Sequence, residues 1–211
     1  MTVHPTAGFA AVILAGGRAQ RLGGADKPGL AVGGAPMLHR VLSAVGDADP
    51  RVVVGPPRDG LPPGVVRTVE RPPGGGPVAA IAAGLAAVAA PDPAGLVAVL
   101  AADLPFLTPD AVGLLRLQLT AREADGPGAY DGAVFVDEAG RRQLLCAVWR
   151  RSSLERALSA LGDPAGRSMR HLIAALRVAE TLWRVSDRAP LPPWFDCDTE
   201  ADLRLAQEWT G

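Results

Sequence analysis

Residues 14–28 read LAGGRAQRLGGADKP, with four glycines, two arginines and one lysine placed directly after the apolar run 9–13 (FAAVI). Glycine lets backbone N–H groups turn inward and cradle anionic oxygens. Arg21 offers a bidentate fork, and Lys27 a compact charge for a second phosphate or a developing pentavalent phosphorus. Neither common phosphate fingerprint is present: Pro28 follows Lys27 where GxxxxGK[ST] needs a hydroxyl, and Gly16-Gly17-Arg18-Ala19-Gln20 breaks GxGxxG. A glycine-rich solvent loop with ordinary surface arginines is the plain alternative. Lys27 is nevertheless the one lysine in a chain of twenty arginines. Ammonium and guanidinium exchange poorly at a tight site, so its retention is suggestive.

Three further stretches are dense in chemistry. Asp103 leaves the run 96–102 (LVAVLAA), which holds no polar residue. A carboxylate at a strand's carboxyl end can hold Mg²⁺, which takes few carboxylates plus substrate phosphates; it can equally serve a turn or a cap. In 195–202 (FDCDTEAD), an extended chain puts Asp196 and Asp198 on one side. Alternatively Asp198 or Thr199 caps a closing helix with Asp202 in its first turn. In 70–77 (ERPPGGGP), Gly74, Gly75 and Gly76 precede a proline-opened helix, exposing donors to an anion or a base edge. Glu70 has the acceptors to pair with N1–H and the amino group of guanine, and a flexible connector is the competing account. No Ser/His or Cys/His pair for nucleophilic catalysis is evident, because His4, His39 and His171 fall on a tail or on predicted helices.

These residues need a frame. With 211 residues, 48% of them hydrophobic and 20% charged, the chain can bury one core of ordinary domain size. A formal net charge of −1 gives no field for nucleic acid or an anionic membrane, so any anion site is local. No apolar run reaches the ~20 residues that span a bilayer. MTVHPTAG lacks a basic leader region. A cytoplasmic location with neither nucleic-acid nor membrane partner is expected. Cys146 and Cys197 make no disulfide framework or metal cluster and read as buried small hydrophobes.

Strands are predicted at 9–15, 51–54, 65–69, 96–101, 131–136, 143–149 and 177–184, the pair 131–149 turning at 137–140. Helices are predicted at 36–46 with Pro36 in first position, 77–90, 108–119, 151–161, 168–176 and from 199 or 200 to 209. Residues 1–8 are expected to form a flexible tail, and 9–211 one domain. Strand–helix alternation predicts an α/β fold: a three-layer, Rossmann-like, mainly parallel sheet flanked by helices. Loops 15–28, 70–77 and 102–106 follow strand ends and should converge on one rim.

The order LAGG…R…K, GGGPVAAI, AADLPF and DCDT resembles the molybdenum cofactor guanylyltransferase family, within the nucleotide-diphospho-sugar transferase superfamily, from about Phe9 to Trp209. The resemblance implies that fold, and implies transfer of GMP from GTP to the terminal phosphate of molybdopterin with release of pyrophosphate and with Mg²⁺ as cofactor. Leu14, Ala15, Gly16 and Gly17 would line the nucleotide site, together with Glu70, Gly75, Gly76 and Pro77. Arg21 and Lys27 would hold the triphosphate, Lys27 nearest the α-phosphate. Asp103 would ligate the metal, and Asp198 would be a second metal or substrate contact. Arg141, Arg142, Gln143, Arg167, Ser168 and Arg170 correspond to segments that approach the pterin substrate, a solvated arginine surface being the alternative. Transient contact with molybdoenzymes or other cofactor-synthesis proteins is also implied. Where the family commonly has an acidic pair at 70–71, this chain has Glu70-Arg71. Use of CTP, or transfer to another acceptor, is therefore the rival within the fold, and a non-catalytic nucleotide-binding protein the rival outside it.

Overall fold

The first apolar run forms strand β1 (Ala10–Leu14), all five residues buried. It lies inside a seven-stranded sheet in a computed structural model that describes residues 8–16, 26–88, 95–121, 129–183 and 191–210. The order across the sheet is β5 (Val65–Thr68), β4 (Arg51–Val54), β1, β6 (Leu96–Ala101), β8 (Arg142–Arg150), β7 (Gly132–Val136) and β9 (Val178–Leu182). The first four run parallel. β8 is antiparallel to both β6 and β7, while β7 and β9 are parallel. The expected mainly parallel α/β sheet is present.

Burial on both faces explains the unbroken apolarity of the central strands. Ala11 and Ile13 of β1 enter a core with Leu38, Leu42, Val112 and Leu115. These side chains come from α1 (Met37–Ala44) and α3 (Pro109–Ala121). Ala10, Val12 and Leu14 point the other way, onto Val78, Ile81 and Leu85 of α2 (Gly76–Ala87) and, farther along, Leu154 and Leu172. The last two belong to α4 (Arg151–Leu161) and α5 (Met169–Ile173). The period-two alternation of β1 thus separates two helical layers. Cys146 and Cys197 are both buried, as expected, and burial pushes each thiol up to about 12.

The alanine-rich composition of α2 has a geometric reason. A Cβ placed on Gly84 would lie 2.3 Å from Val12 Cγ1 and 3.1 Å from Val54 Cγ2. The helix therefore rides close on β1 and β4, and its N-terminal turn is fixed above their carboxyl ends. Gly84→Val overpacks this contact and is expected to cost about 1–3 kcal/mol in urea unfolding.

Two boundaries differ from the sequence expectation. Pro36 does not open α1; it pairs with Ala31 in a hairpin of β2 (Ala31–Val32) and β3 (Ala35–Pro36). Gly33 and Gly34 both take positive φ, 57° and 77°, as a tight two-residue hairpin turn requires. The predicted helix 168–176 stops at Ile173, after which Leu176 N–H donates to the Ile173 carbonyl in a turn leading to β9.

The β7–β8 turn is held by Asp137, whose carboxylate accepts from Arg141 N–H (2.8 Å), Ala139 N–H (3.0 Å) and Arg141 Nε (2.8 Å). The Arg141 backbone donor, ahead of its side chain, holds this carboxyl below its ordinary 3.8. A carboxylate with a lowered folded-state value stabilises above 3.8 and loses that contribution as pH falls through the lowered value. Asp137→Ala is therefore expected to lower the urea midpoint at pH 7, and the gap to the parent should close on acidification.

Candidate active site

The three strand-end loops do converge. Leu14 at the end of β1 and Gly16 just after it, Glu70 and Gly74 between β5 and α2, Pro77 in the first turn of α2, and Asp103 after β6 line one cavity of about 590 Å³. That is within the usual volume for a small-molecule site. Glu70 stands across from Gly16: a Cβ on that glycine would lie 3.7 Å from Glu70 Oε1. Glu70 Oε1 also accepts from Gly74 N–H (3.1 Å), tying the acidic side chain to the glycine turn. Gly74 and Gly76 have φ of 77° and 87°, so the turn needs glycine at both. Arg71 does not line the cavity.

Lys27 meets the cavity at Asp103. Its ammonium pairs with Asp103 Oδ2, from the middle of the sequence, and with Asp198 Oδ1 (2.5 Å), from near its end. Burial alone pulls the Lys27 value down, but hydrogen bonds and charge from Asp103 and Asp198 outweigh it and raise it above 10.5. Asp103 is not a helix cap, because Thr108 Oγ1 accepts from Ala111 N–H and caps α3. Asp103 Oδ1 is buried with no hydrogen-bond partner among the described residues.

The closing motif resolves the choice left open between capping and charge. Thr199 caps α6 (Glu200–Glu208) and forms a capping box with Asp202. Asp198 is thereby left to Lys27. Cys197 points into a small core with Val32, Met37 and Ala206, while Asp196 and Asp198 face the charged side. Burial first, then the like charges of Asp198 and Asp103, push the Asp196 carboxyl up.

A second cavity of about 660 Å³ adjoins the first and shares Gly74, Gly76, Pro77 and Leu145 with it. Arg142, Gln143, Arg167, Ser168 and Arg170 line it, as does Asp196. Arg141 is not brought there; its guanidinium turns to Asp137. Arg142 is held by Glu180 Oε1 at 2.8 Å. Although no Ser/His pair is evident in the sequence, Ser168 Oγ lies 3.1 Å from His171 Nδ1. Ser168 there caps α5 by accepting from His171 N–H.

Two more expectations shift. Ala15 is buried, its N–H given to the Val54 carbonyl (2.8 Å) and its carbonyl to Arg58 (2.9 Å), so it supports the cavity rather than lining it. Gly75 lines the arginine-rich cavity and not the first one. Gly17 and Arg21 lie outside the described residues. Sequence reasoning missed Gly55, where a Cβ would sit 2.7 Å from the Ala15 carbonyl carbon and 2.9 Å from Gly16 N. A glycine right after an apolar strand was the available signal. It missed Arg58 as well, with no signal at all.

The model of the MobA-like NTP transferase domain matches residues 11–181. The chain belongs to the MobA-like NTP transferase family. A molybdenum cofactor guanylyltransferase of Mesorhizobium japonicum is 33% identical, covering 96% of this chain and 98% of that one. One from Bradyrhizobium sp. is 32% identical, over 98% and 95%. Among solved structures, a molybdopterin-guanine dinucleotide biosynthesis protein A from Archaeoglobus fulgidus superposes with a TM-score of 0.67 at 20% identity, covering 94% and 97%. A 2-C-methyl-D-erythritol 4-phosphate cytidylyltransferase from Thermus thermophilus gives 0.66 at 21%, covering 96% and 98%. These two share the fold with the present NTP transferase domain.

Proposed function

We propose that this NTP transferase moves GMP from GTP to the terminal phosphate of molybdopterin, releasing pyrophosphate. The observation that supports it best is the meeting of Gly16, Glu70 and Asp103 in one cavity, with Lys27 at Asp103. Glu70 supplies carboxylate acceptors for N1–H and the exocyclic amine of guanine. The cavity of Arg142, Arg167 and Arg170 takes the acceptor, since guanidinium forks suit a phosphate-bearing molecule. Gly74, Gly76 and Pro77, with Leu145, form the wall common to the donor and acceptor cavities.

An acceptor phosphate is already anionic, so attack on the α-phosphorus needs no general base. The chain's part is to align the two substrates in line and to place the Lys27 charge where negative charge builds up. Asp103 and Asp198 fit Mg²⁺ as hard oxygen donors, and the buried, unpartnered Asp103 Oδ1 is a donor with nothing else to bind among the described residues. No cluster of three or more His, Cys, Asp or Glu able to cage a metal is present among those residues. Mg²⁺ takes few protein carboxylates and completes its shell with water and substrate phosphates. When bound, Mg²⁺ supplies neutralising charge to the phosphate oxygens. No helix among the described residues is long and apolar enough to cross a membrane.

Pyrophosphate release measured with each of the four NTPs, with and without molybdopterin, tests the proposal. Release with GTP that depends on molybdopterin is expected. Faster release with CTP would transfer the assignment to cytidylyl transfer, and release with none would leave a nucleotide-binding role.

A further inference from the structure

Arg58 stands outside the catalytic groups named above, yet only 10% of its side chain is exposed. Its two terminal nitrogens take different partners. One pairs with the Asp26 carboxylate, and the other donates to the Ala15 carbonyl at 2.9 Å. Asp26 immediately precedes Lys27, and Ala15 immediately precedes Gly16. A single planar guanidinium thus bridges the residues just before the ammonium and just before the cavity glycine.

The base of Arg58 is itself held. The segment Gly55-Pro56-Pro57 leads into it, and two prolines fix their own φ. Gly55 N–H donates to the Thr68 carbonyl (3.0 Å), and Gly55 packs on Ala15 and Gly16 too closely for any Cβ. The Arg58 carbonyl accepts from Arg67 of β5 at 3.3 Å. A rigid fork on an anchored stem sets the separation of its two partners, which a flexible lysine chain would not.

We infer that Arg58 is a positioning residue: it locks Asp26 to Ala15 and so delivers Lys27 to Asp103 and Asp198 at the edge of the Gly16 cavity. This rests on the nucleotidyl-transfer reading for its kinetic consequence, though not for its geometry. Among the described residues Arg58 lines neither the Gly16 cavity nor the arginine-rich one, so its loss acts by displacing groups. A misplacement on the order of 1 Å can cost up to ~10²-fold in rate. Arg58→Ala should therefore lower kcat by about ten- to a hundredfold and leave the nucleotide KM nearly unchanged. Arg58→Lys should not restore the rate, since one ammonium cannot span both partners.

The protein and its Arg58→Ala, Arg58→Lys and Asp26→Asn variants, with the Arg58→Ala/Asp26→Asn double variant, are assayed for kcat, KM and Tm. Each is also treated with an acetylating reagent, and mass spectrometry follows modification of the single lysine. Asp26 is a largely exposed side chain, so its variant folds even if Arg58→Ala does not. Faster acetylation of Lys27 and a lower kcat in Asp26→Asn, matched without additivity in the double variant, is the expected result. Unchanged acetylation and kcat in Asp26→Asn and in any folded Arg58 variant, whatever the Tm, would overturn the inference. If the parent protein turns over none of the NTPs, the functional reading fails, while the acetylation rates still decide the role of Arg58.

Discussion

Lys27→Ala is expected to lower the rate of nucleotidyl transfer by about a hundredfold or more, the usual cost of removing one group that stabilises charge in the transition state. A second consequence runs the other way. Lys27 holds together two carboxylates, Asp103 and Asp198, that would otherwise repel each other. Without the ammonium, those carboxylates are left to the Mg²⁺ proposed above, so the variant should bind Mn²⁺ more tightly than its parent in the absence of nucleotide. Electron paramagnetic resonance of free Mn²⁺ measures this directly. A variant that loses both activity and Mn²⁺ affinity would show that Lys27 supports the metal site instead of competing for its ligands.

Asp103→Asn should produce a rate loss of similar size, about a hundredfold, together with a higher Mg²⁺ concentration for half-maximal rate. The amide keeps the shape of the side chain but replaces an acceptor oxygen with a donor facing the ammonium. Asp198→Asn should be milder. The Asp198 side chain is 50% exposed against 17% for Asp103, so water screens and replaces more of what it contributes. Pyrophosphate release across a Mg²⁺ titration ranks the two variants, and an Asp198→Asn loss exceeding that of Asp103→Asn would reverse the assignment of the principal ligand.

Much of the frame is legible in the sequence because buried parallel strands leave a coarse mark. Runs such as 96–101 (LVAVLA) have no polar face, and the cap at Thr108-Pro109 announces its helix. The rim is legible for a related reason: chemistry after an apolar strand must emerge at a strand end. Tertiary choices are not. Nothing near Lys27 tells that its partners are Asp103 and Asp198, the latter 171 positions away. Arg141 and Arg142 are adjacent and alike in the sequence, yet a turn carboxylate takes one and leaves the other at the cavity. The β2–β3 hairpin was written in Gly33-Gly34, but its strands of two residues each are too short for periodicity to register.

The common wall of Gly74, Gly76, Pro77 and Leu145 bears on how turnover ends. Under the guanylyl-transfer reading, the product is one molecule with its guanosine end in one cavity and its pterin end in the other. Each end then holds the other at high effective concentration, so a momentary release of either is followed by rebinding. Departure of the finished dinucleotide, rather than bond formation, becomes the slow event of the cycle, and the first turnover outpaces those after it.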